Sequence, residues 1–231
     1  MPSQSVRFDA DNEEYTVTLS PALGTTITIV TWFRLAVDRD AYTTAWCLDN
    51  GSTDTAAALQ TDSGGTIMRL VDDSTTQDLI TMTVGTWYCF GVVRSALSGA
   101  TALRALYGTN PASLSVFTGA PGGSWDTANF NRLRIAESQW NNEWLNGNIA
   151  FTKVWTRVLT DQEIADELSQ YLPKSTTNLY AAWSFWDGPS TTDRSGNGHT
   201  LTGGSNTATE SGPAGIVLGG GPEGGRGMLL T

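Results

Sequence analysis

Carboxylates and one histidine are the side chains of this sequence that could take part in catalysis. The densest acids fall on one predicted helix, where they fit a solvent-exposed face: Asp161, Glu163, Asp166 and Glu167. His199 lies in a Gly/Asn turn, without a G-x-S-x-G serine or a reactive-cysteine signature elsewhere. A glycosidase needs two carboxylates at a fixed separation, and no strand carries an E-x-D-x-E set that would place them on one face. The residues therefore predict a protein without hydrolase activity.

Tryptophan is the residue type that points to binding. Trp125, Trp140 and Trp144 lie in polar loops that also hold several asparagines, among them Asn142. Indole faces stack on sugar rings and amides bind hydroxyl groups, so these four residues form a candidate glycan site. The alternative is that the indoles fold back over an open edge of the sheet or pack against a neighbouring subunit.

Two further features bear on cofactors and redox chemistry. Residues 49–54, DNGSTD, offer oxygens of the kind that calcium prefers, but their spacing is not that of an EF-hand. Asp and Asn in turns more often bond to their own backbone, so no metal or other cofactor is expected. Cys47 and Cys89 lie in separate strand-like runs without C-x-x-C spacing. They are interpreted as two buried thiols or, alternatively, as a disulfide between neighbouring strands.

A strand that runs into a short helix is the clearest structural signal. In the strand, alternation places Ile149, Phe151 and Trp155 on one face. Thr160 is a good N-cap with Glu163 three residues later, which predicts a capping box at the start of a helix near residues 160–172. Apolar residues then recur every fourth position, so this helix should dock through Ile164 and Leu168 on an apolar surface.

The remaining sequence predicts strands and turns. Only 16% of the 231 residues are charged, 10% are aromatic and 25 are glycine. Short alternating runs separated by Gly, Asn and Asp recur along the chain, which is typical of an antiparallel meander. The expected fold class is all-β, an antiparallel two-sheet jelly-roll sandwich with one short helix. One domain should span residues 1–214, followed by a Gly-rich arm at 215–231.

The arm carries two apolar anchors separated by glycines: Ile216, Val217 and Leu218, then Met228, Leu229 and Leu230. Such a segment cannot bury enough apolar surface by itself to offset its ordering entropy. It is therefore interpreted as an assembly arm that adds to a neighbouring subunit. The alternative is that residues 216–218 are the last edge strand of the domain itself.

Several motifs occur in a fixed order along the chain. The most specific is G-N-I-A-x-x-K-V-W-x-R-x-L running into T-x-x-E-I at residues 147–164. Weaker motifs lie at Val6–Asp9 with Tyr15–Val17, Ile27–Phe33, Gly85–Val93 and the D-x-S-G-N-G turn that begins at Asp193. The ordered set resembles laminin-G-like domains of the concanavalin A-like lectin/glucanase superfamily. In many relatives the D-x-S-G-N-G turn comes near the beginning, whereas here it follows the helix. The C-terminal end is therefore expected to supply an edge strand of the sheet.

The resemblance and the charge together frame the expected function. Laminin-G-like modules without a catalytic set resemble bacteriophage virion proteins, which implies a capsid decoration or tail protein; the alternative is a lectin for cell-surface glycans. The formal charge of −10 would repel nucleic acid and anionic membranes. No secretion signal or membrane-spanning stretch is visible. The expected partners are subunits of a larger assembly, a second copy of the chain or glycans, and the expected location is a virion surface after synthesis in a host cytoplasm.

Overall fold

A computed structural model describes residues 3–9, 13–38, 41–51, 56–72, 75–122, 125, 130–140, 143–204 and 207–219. It confirms the expected fold class, because two antiparallel sheets stack into a sandwich with one short helix outside. Sheet A contains β1 (Gln4–Phe8), β3 (Ile27–Leu35), β8 (Trp87–Arg94), β9 (Leu103–Gly108), β10 (Ser115–Gly119), β12 (Gly147–Trp155), β13 (Leu179–Ser184) and β15 (Ala208–Ser211). Sheet B contains β2 (Tyr15–Thr18), β4 (Thr44–Asp49), β5 (Ala56–Thr61), β6 (Ile67–Asp72), β7 (Thr76–Thr81), β11 (Arg132–Ile135) and β14 (Thr202–Gly203).

The order of strands shows how the chain closes its sandwich. Sheet A runs β10-β9-β8-β3-β12-β1-β15, with β13 also paired to β12, and sheet B runs β14-β2-β11-β4-β5-β6-β7. Late strands β14 and β15 pair with the early strands β2 and β1. This confirms that the C-terminal end supplies edge strands, and it does so in both sheets.

The D-x-S-G-N-G turn fastens this late segment to β13. The carboxylate of Asp193 accepts hydrogen bonds from the backbone N–H groups of Ala182 and His199, at 2.9 and 3.0 Å. The amide of Asn197 donates to the carbonyls of Leu179 and Tyr180, at 2.8 and 3.0 Å. The motif therefore has a structural role, because its side chains form hydrogen bonds with backbone groups of β13 and of the turn itself.

Strand β12 departs from strict alternation. Its register against β3 shifts between Ile149 and Phe151. Ile149 consequently lies in the core between the sheets, whereas Phe151 and Trp155 lie on the outer face of sheet A under the helix. The expectation that these three side chains share one face is wrong, because a bulge inserts a residue and reverses the alternation that follows it.

Helix α1 (Asp161–Leu168) begins as the sequence predicts. Thr160 accepts from the Glu163 N–H, and the Glu163 carboxylate accepts from the Thr160 N–H, so the capping box is confirmed. Ile164 and Leu168 are fully buried against sheet A, and the indole of Trp32 donates to the Leu168 carbonyl at 2.7 Å.

The helix ends earlier than the predicted residue 172. The hydroxyl of Ser169 donates to the Ala165 carbonyl at 2.7 Å, and the chain then leaves the helical path. The next backbone N–H groups bond to the C-terminal segment instead: Tyr171 donates to Val217 and Leu172 to Leu218, both at 2.9 Å. A competing tertiary ladder thus replaces the last helical turn.

These contacts also change the interpretation of the arm. Ile216 is buried in the layer under the helix, Leu218 is partly buried there, and Val217 forms an isolated bridge with Gln170, so residues 216–218 contact their own sandwich without forming the edge strand that the alternative predicted. The division between domain and arm at residue 214 stays a prediction. Met228, Leu229 and Leu230 lie outside the described residues, and their role in assembly stays a prediction.

The two cysteines lie on opposite outer faces of the sandwich, Cys47 on sheet B and Cys89 on sheet A, and both are free and buried. Burial raises the pKa of each thiol to about 12, so neither is a reactive thiolate. In the part of the chain that the structure describes, no helix is both long and apolar enough to cross a membrane.

Candidate functional site

The outer face of sheet B carries the candidate site, and its floor is made of small side chains. Cys47 on β4 and Ala56 and Ala58 on β5 are fully buried on this face. Their small size leaves room for the indole of Trp140, which packs against them and is partly buried. One face of this indole is thus held by the sheet while part of its surface stays open to solvent.

A partly buried ion network holds the loop that carries Trp140. The fully buried carboxylate of Asp49 accepts from Arg132 Nε at 2.6 Å and from Arg134 Nε at 3.2 Å. The same two guanidinium groups donate through Nη2 to the side-chain oxygen of Gln139, at 2.6 and 2.8 Å. Because Gln139 directly precedes Trp140, the network fixes the position of the backbone from which the Trp140 indole extends. These charge-assisted bonds join β4 and β11 to the loop.

Beside the indole lies an open cavity of about 290 Å³. It is lined by one residue of the loop before β4, four from β5, β6 and β7, and two from the Trp140 loop: Tyr42, Gln60, Arg69, Val71, Thr76, Trp140 and Glu143. Tyr42 is 41% exposed, so two aromatic side chains border the opening. Aromatic rings with adjacent polar groups suit a ligand that has both apolar faces and hydroxyl groups.

Glu143 is the carboxylate of this cavity. Its Oε2 accepts from Gln60 Nε2 at 2.6 Å and from the Ser138 hydroxyl at 2.6 Å. Oε1 takes no hydrogen bond from the described part of the chain and can accept one from a ligand. Burial raises the pKa of Glu143 above its ordinary value, while the two donors oppose that shift by favouring the carboxylate.

Arg69 supplies the positive side of the cavity. Its Nη2 donates to the Asp78 carboxylate at 2.9 Å, which fixes the guanidinium across β6 and β7. Its Nε is buried and has no acceptor among the described residues. The guanidinium group as a whole lines the cavity and gives this side of it a positive charge.

The lining defines what chemistry the cavity supports. Glu143 is the single carboxylate among the described lining residues, whereas glycoside hydrolysis uses two. Within the described ranges, no cluster of three or more His, Cys, Asp or Glu side chains could hold a metal ion. Donors and acceptors beside two aromatic rings instead provide the means to bind a polyhydroxylated molecule.

The structure separates the four residues predicted as a glycan site. Trp140 lines the cavity. Trp125 is 1% exposed and packs edge-to-face against Trp46 and Phe130 in the core, so no sugar can stack on it. This corrects the prediction that Trp125 binds a glycan. Its indole packs among apolar side chains between the two sheets, which the polar sequence around it does not reveal. Trp144 is half-buried and does not line the cavity, and Asn142 lies outside the described residues.

Several cavity residues were missed because they lie far from the loop in sequence. Gln60, Arg69 and Thr76 come from three different strands, and only pairing β5 with β6 and β6 with β7 brings them together. The run Ala56-Ala57-Ala58 was a usable signal. Alanine is depleted in strands, and its presence at alternate outward positions indicates a surface that another side chain covers.

The calcium candidate and the histidine also have structural roles. The Asp49 carboxylate is occupied by two arginines and by the Gly51 N–H at 2.7 Å, while residues 52–54 of the candidate segment lie outside the described residues. His199 stacks on Tyr180 with ring centroids 4.3 Å apart. Asp49 is thus explained by its ion pairs and its backbone hydrogen bond, and His199 by ring stacking.

Comparison with solved structures shows what the fold is similar to. It is similar to a candidate carbohydrate-binding protein from Bacteroides ovatus, with a TM-score of 0.65 and 10% identity, covering 94% of this chain and 62% of that one. It is also similar to the heptameric SAP-like pentraxin from Limulus polyphemus, with a TM-score of 0.54 and 12% identity over 91% of this chain and 95% of that one. The tailspike protein 2 enzymatically active domain of bacteriophage CBA120 has a TM-score of 0.55 and 13% identity, over 82% of this chain and 34% of that one.

At these identities the structural likeness shows the fold alone. A search of curated proteins found no significant match. The sequence itself matches the family model Laminin_G_3, described as concanavalin A-like lectin/glucanases superfamily, over residues 9–165. Because this match covers more than half of the chain, the chain belongs to the Laminin_G_3 family of the concanavalin A-like lectin/glucanases superfamily.

Proposed function

We propose that this protein is a non-catalytic glycan-binding module and that the cavity beside Trp140 is its binding site. The observation that carries the proposal is the convergence of the partly buried Trp140 indole and the exposed Tyr42 phenol with the Gln60 amide, the Glu143 carboxylate and the Arg69 guanidinium. An indole covers one face of a sugar ring, and the polar groups bond to hydroxyls at its rim. The single lining carboxylate supports binding without turnover.

The similarity of the fold to the candidate carbohydrate-binding protein from Bacteroides ovatus is consistent with this proposal. The binding energy would come from a pre-formed surface, because the floor under Trp140 and the network at Gln139 hold the indole before any ligand arrives. Pre-organisation reduces the entropy that binding must overcome.

Replacing Trp140 by alanine tests the proposal directly. We expect a glycan array to identify a ligand for the wild-type protein and Trp140→Ala to weaken its binding at least about tenfold, equivalent to about 1.4 kcal/mol. Trp87→Ala is the matched control, because Trp87 is a half-buried indole on the outer face of sheet A. Equal losses in both variants, or no ligand on any array together with a fall in stability for Trp140→Ala, would contradict the proposal.

The pH dependence of Glu143 gives a second test. A carboxylate accepts hydrogen bonds from hydroxyl groups more strongly than a carboxylic acid does. Burial raises the pKa of Glu143 above the ordinary 4.5, so glycan binding should weaken as the pH falls through this raised pKa. The contribution of Glu143 to stability should have the opposite slope. In that window the folded state holds the proton and the unfolded chain does not, so this contribution is greatest at low pH and decreases as the pH rises.

Calorimetric titration and thermal unfolding across pH 4 to 7, roughly the range in which carboxyl groups with raised pKa values titrate, would measure both slopes. Glu143→Gln is the control, because glutamine has nearly the same shape and does not titrate. If glycan affinity and stability changed with pH in the same direction, or if either dependence persisted in Glu143→Gln, another group would control binding.

A second candidate function is a component of a bacteriophage virion, displayed on its surface after synthesis in a host cytoplasm. The specific observation in its favour is the similarity of the fold to tailspike protein 2 of bacteriophage CBA120. A virion surface protein that binds cell-surface glycans would combine both functions, and Met228, Leu229 and Leu230 would attach it to other subunits. Labelling phage particles with antibodies raised against the domain tests this candidate. Particles that remain unlabelled while carrying the intact protein would exclude surface display.

A further inference from the structure

A second cavity, of about 390 Å³, lies at the end of the sandwich away from Trp140. It is bordered by the loop after β2, the residue after β12, the start of β13 and the D-x-S-G-N-G turn. Strand pairing fixes its place, because Thr18 at the end of β2 lies level with the end of β4. The first cavity lies near the start of β4, where the Glu143 carbonyl accepts from the Thr44 N–H. The volume falls in the range of roughly 300–1,000 Å³ that small-molecule sites occupy.

The single histidine of the chain, His199, is held in a fixed position at this cavity. Its ring stacks on Tyr180 with centroids 4.3 Å apart and planes 10° apart, and the Tyr180 hydroxyl donates to the Pro21 carbonyl. The His199 N–H donates to the Asp193 carboxylate at 3.0 Å, and its carbonyl accepts from Trp183 Nε1 at 2.8 Å. Neither ring nitrogen has a hydrogen-bond partner in the part of the chain that the structure describes. The polar edge of this imidazole is therefore free to bind a ligand.

The other polar groups of this cavity are mostly acceptors. The Asn197 side-chain amide donates to two carbonyls of β13, at 2.8 and 3.0 Å, which leaves its Oδ1 to accept from a ligand. The Thr156 hydroxyl donates to the Asn178 carbonyl at 3.4 Å, so its oxygen also remains as an acceptor. An imidazole adds one acceptor nitrogen when it is neutral, and the donors are its N–H and the Ser20 hydroxyl. The cavity thus offers more acceptors than donors.

These groups favour a neutral ligand that is rich in hydroxyls. Hydroxyl groups bring the protons that the acceptors need, whereas a carboxylate or a phosphate brings only further acceptors. None of the described residues that line this cavity is Lys, Arg, Asp or Glu, so a charged ligand would find no ionic partner there. The formal charge of −10 also repels anions. The apolar side chains of Pro21 and Leu179 suit the carbon skeleton of a sugar ring.

We infer that this cavity is a second sugar-binding site, in which the imidazole edge of His199 and Oδ1 of Asn197 bind hydroxyl groups of a neutral sugar. It extends the proposed function to a second site but does not require binding at the Trp140 cavity, since the two lie at opposite ends of the sandwich. The imidazole and the amide are both held in place before a ligand arrives, so binding orders few groups.

Nuclear magnetic resonance can follow this site directly, because a chain with one histidine gives one set of imidazole signals. The probes are galactose, glucose, mannose and N-acetylglucosamine, with galacturonate and inorganic phosphate as anionic counterparts. At least one neutral sugar should shift the His199 imidazole signals saturably, and the two anions should not. Trp140→Ala should show the same shifts as the wild type. Failure of the Trp140 site and failure of this site therefore give different results.

Two substitutions test the site in different ways. His199→Phe removes the polar edge and keeps an aromatic ring on Tyr180, and the backbone amide signals of Asn197 should then report an affinity at least about tenfold weaker. Ala22→Leu, at an exposed residue of the lining, should block the cavity and weaken binding by a similar factor without removing a side-chain hydrogen bond. Thr200→Ala is the matched control, because Thr200 is exposed and adjacent to His199 but does not line the cavity.

Thermal unfolding should show that all three variants are folded, and Thr200→Ala should bind as the wild type does. The absence of any shift with the four neutral sugars would overturn the inference. Equal shifts with galacturonate or phosphate would overturn the preference for a neutral ligand. Unchanged affinity in folded His199→Phe or Ala22→Leu would show that the sugar binds elsewhere.

Discussion

Replacing Lys153 by methionine should lower the free energy of unfolding by about 3–5 kcal/mol, the cost of removing one partner from a buried ion pair. Lys153 lies on β12 beneath helix α1, where both it and Glu167 are 1% exposed. Its ammonium donates to Glu167 Oε2 at 3.1 Å and to the carbonyls of Glu167 and Gln170 at 2.8 Å each. Methionine would fill the space but leave a carboxylate and two carbonyls buried without this donor.

Lys174→Met is the matched control for this measurement. Lys174 pairs with Asp166 on the same helix, but its side chain is 60% exposed, so solvent screens the interaction. Chemical denaturation of both variants should show a large loss of stability for Lys153→Met and almost none for Lys174→Met. Similar values for the two would show that the buried pair does not hold the helix end in place.

Replacing Ile164 by alanine should lower the free energy of unfolding by about 2–5 kcal/mol, the usual cost of truncating a buried isoleucine. Ile164 is fully buried and packs over Gly91 in the middle of β8. A Cβ at residue 91 would lie 2.4 Å from Ile164 Cγ2, so glycine at this position lets the helix approach the sheet. Gln162→Ala, on the exposed face of the same helix, should change stability by less than about 0.5 kcal/mol.

A double-mutant cycle makes the contact itself measurable. Gly91→Ala should destabilise the wild-type protein through the clash, but should cost much less in the Ile164→Ala background, where the interfering methyl group is absent. Additive effects of the two substitutions would indicate that the helix does not pack on Gly91 as described.

The two large effects differ in how far the sequence could foresee them. The docking of Ile164 was predicted, because helical spacing of apolar residues and a capping box are local patterns. The buried Lys153 gave no such signal, since lysine in an isolated strand looks like a solvent-exposed residue. Its burial follows from the bulge in β12, which turns Lys153 to the outer face, and from the carbonyls at the end of α1 that satisfy it.

The candidate site, too, was only partly predictable from the sequence. The sequence identified Trp140 by its polar surroundings but gave the same interpretation to Trp125, which the structure places in the core. Composition around an indole describes the loop in which it lies and does not describe what lies under it. The small floor beneath Trp140 and the apolar space around Trp125 are both made by strands distant in sequence.

The sequence by itself therefore determined the family, the all-β sandwich, the start of the helix and the supply of edge strands from the C-terminal end. These properties depend on periods, caps and turns that act over a few residues. The tertiary structure decided the end of the helix, the docking of Ile216, the face of β12 that carries Lys153, and the grouping of Gln60 and Glu143 beside Trp140. Each of these depends on pairings between strands far apart in the chain, where one inserted residue reverses every side chain that follows it.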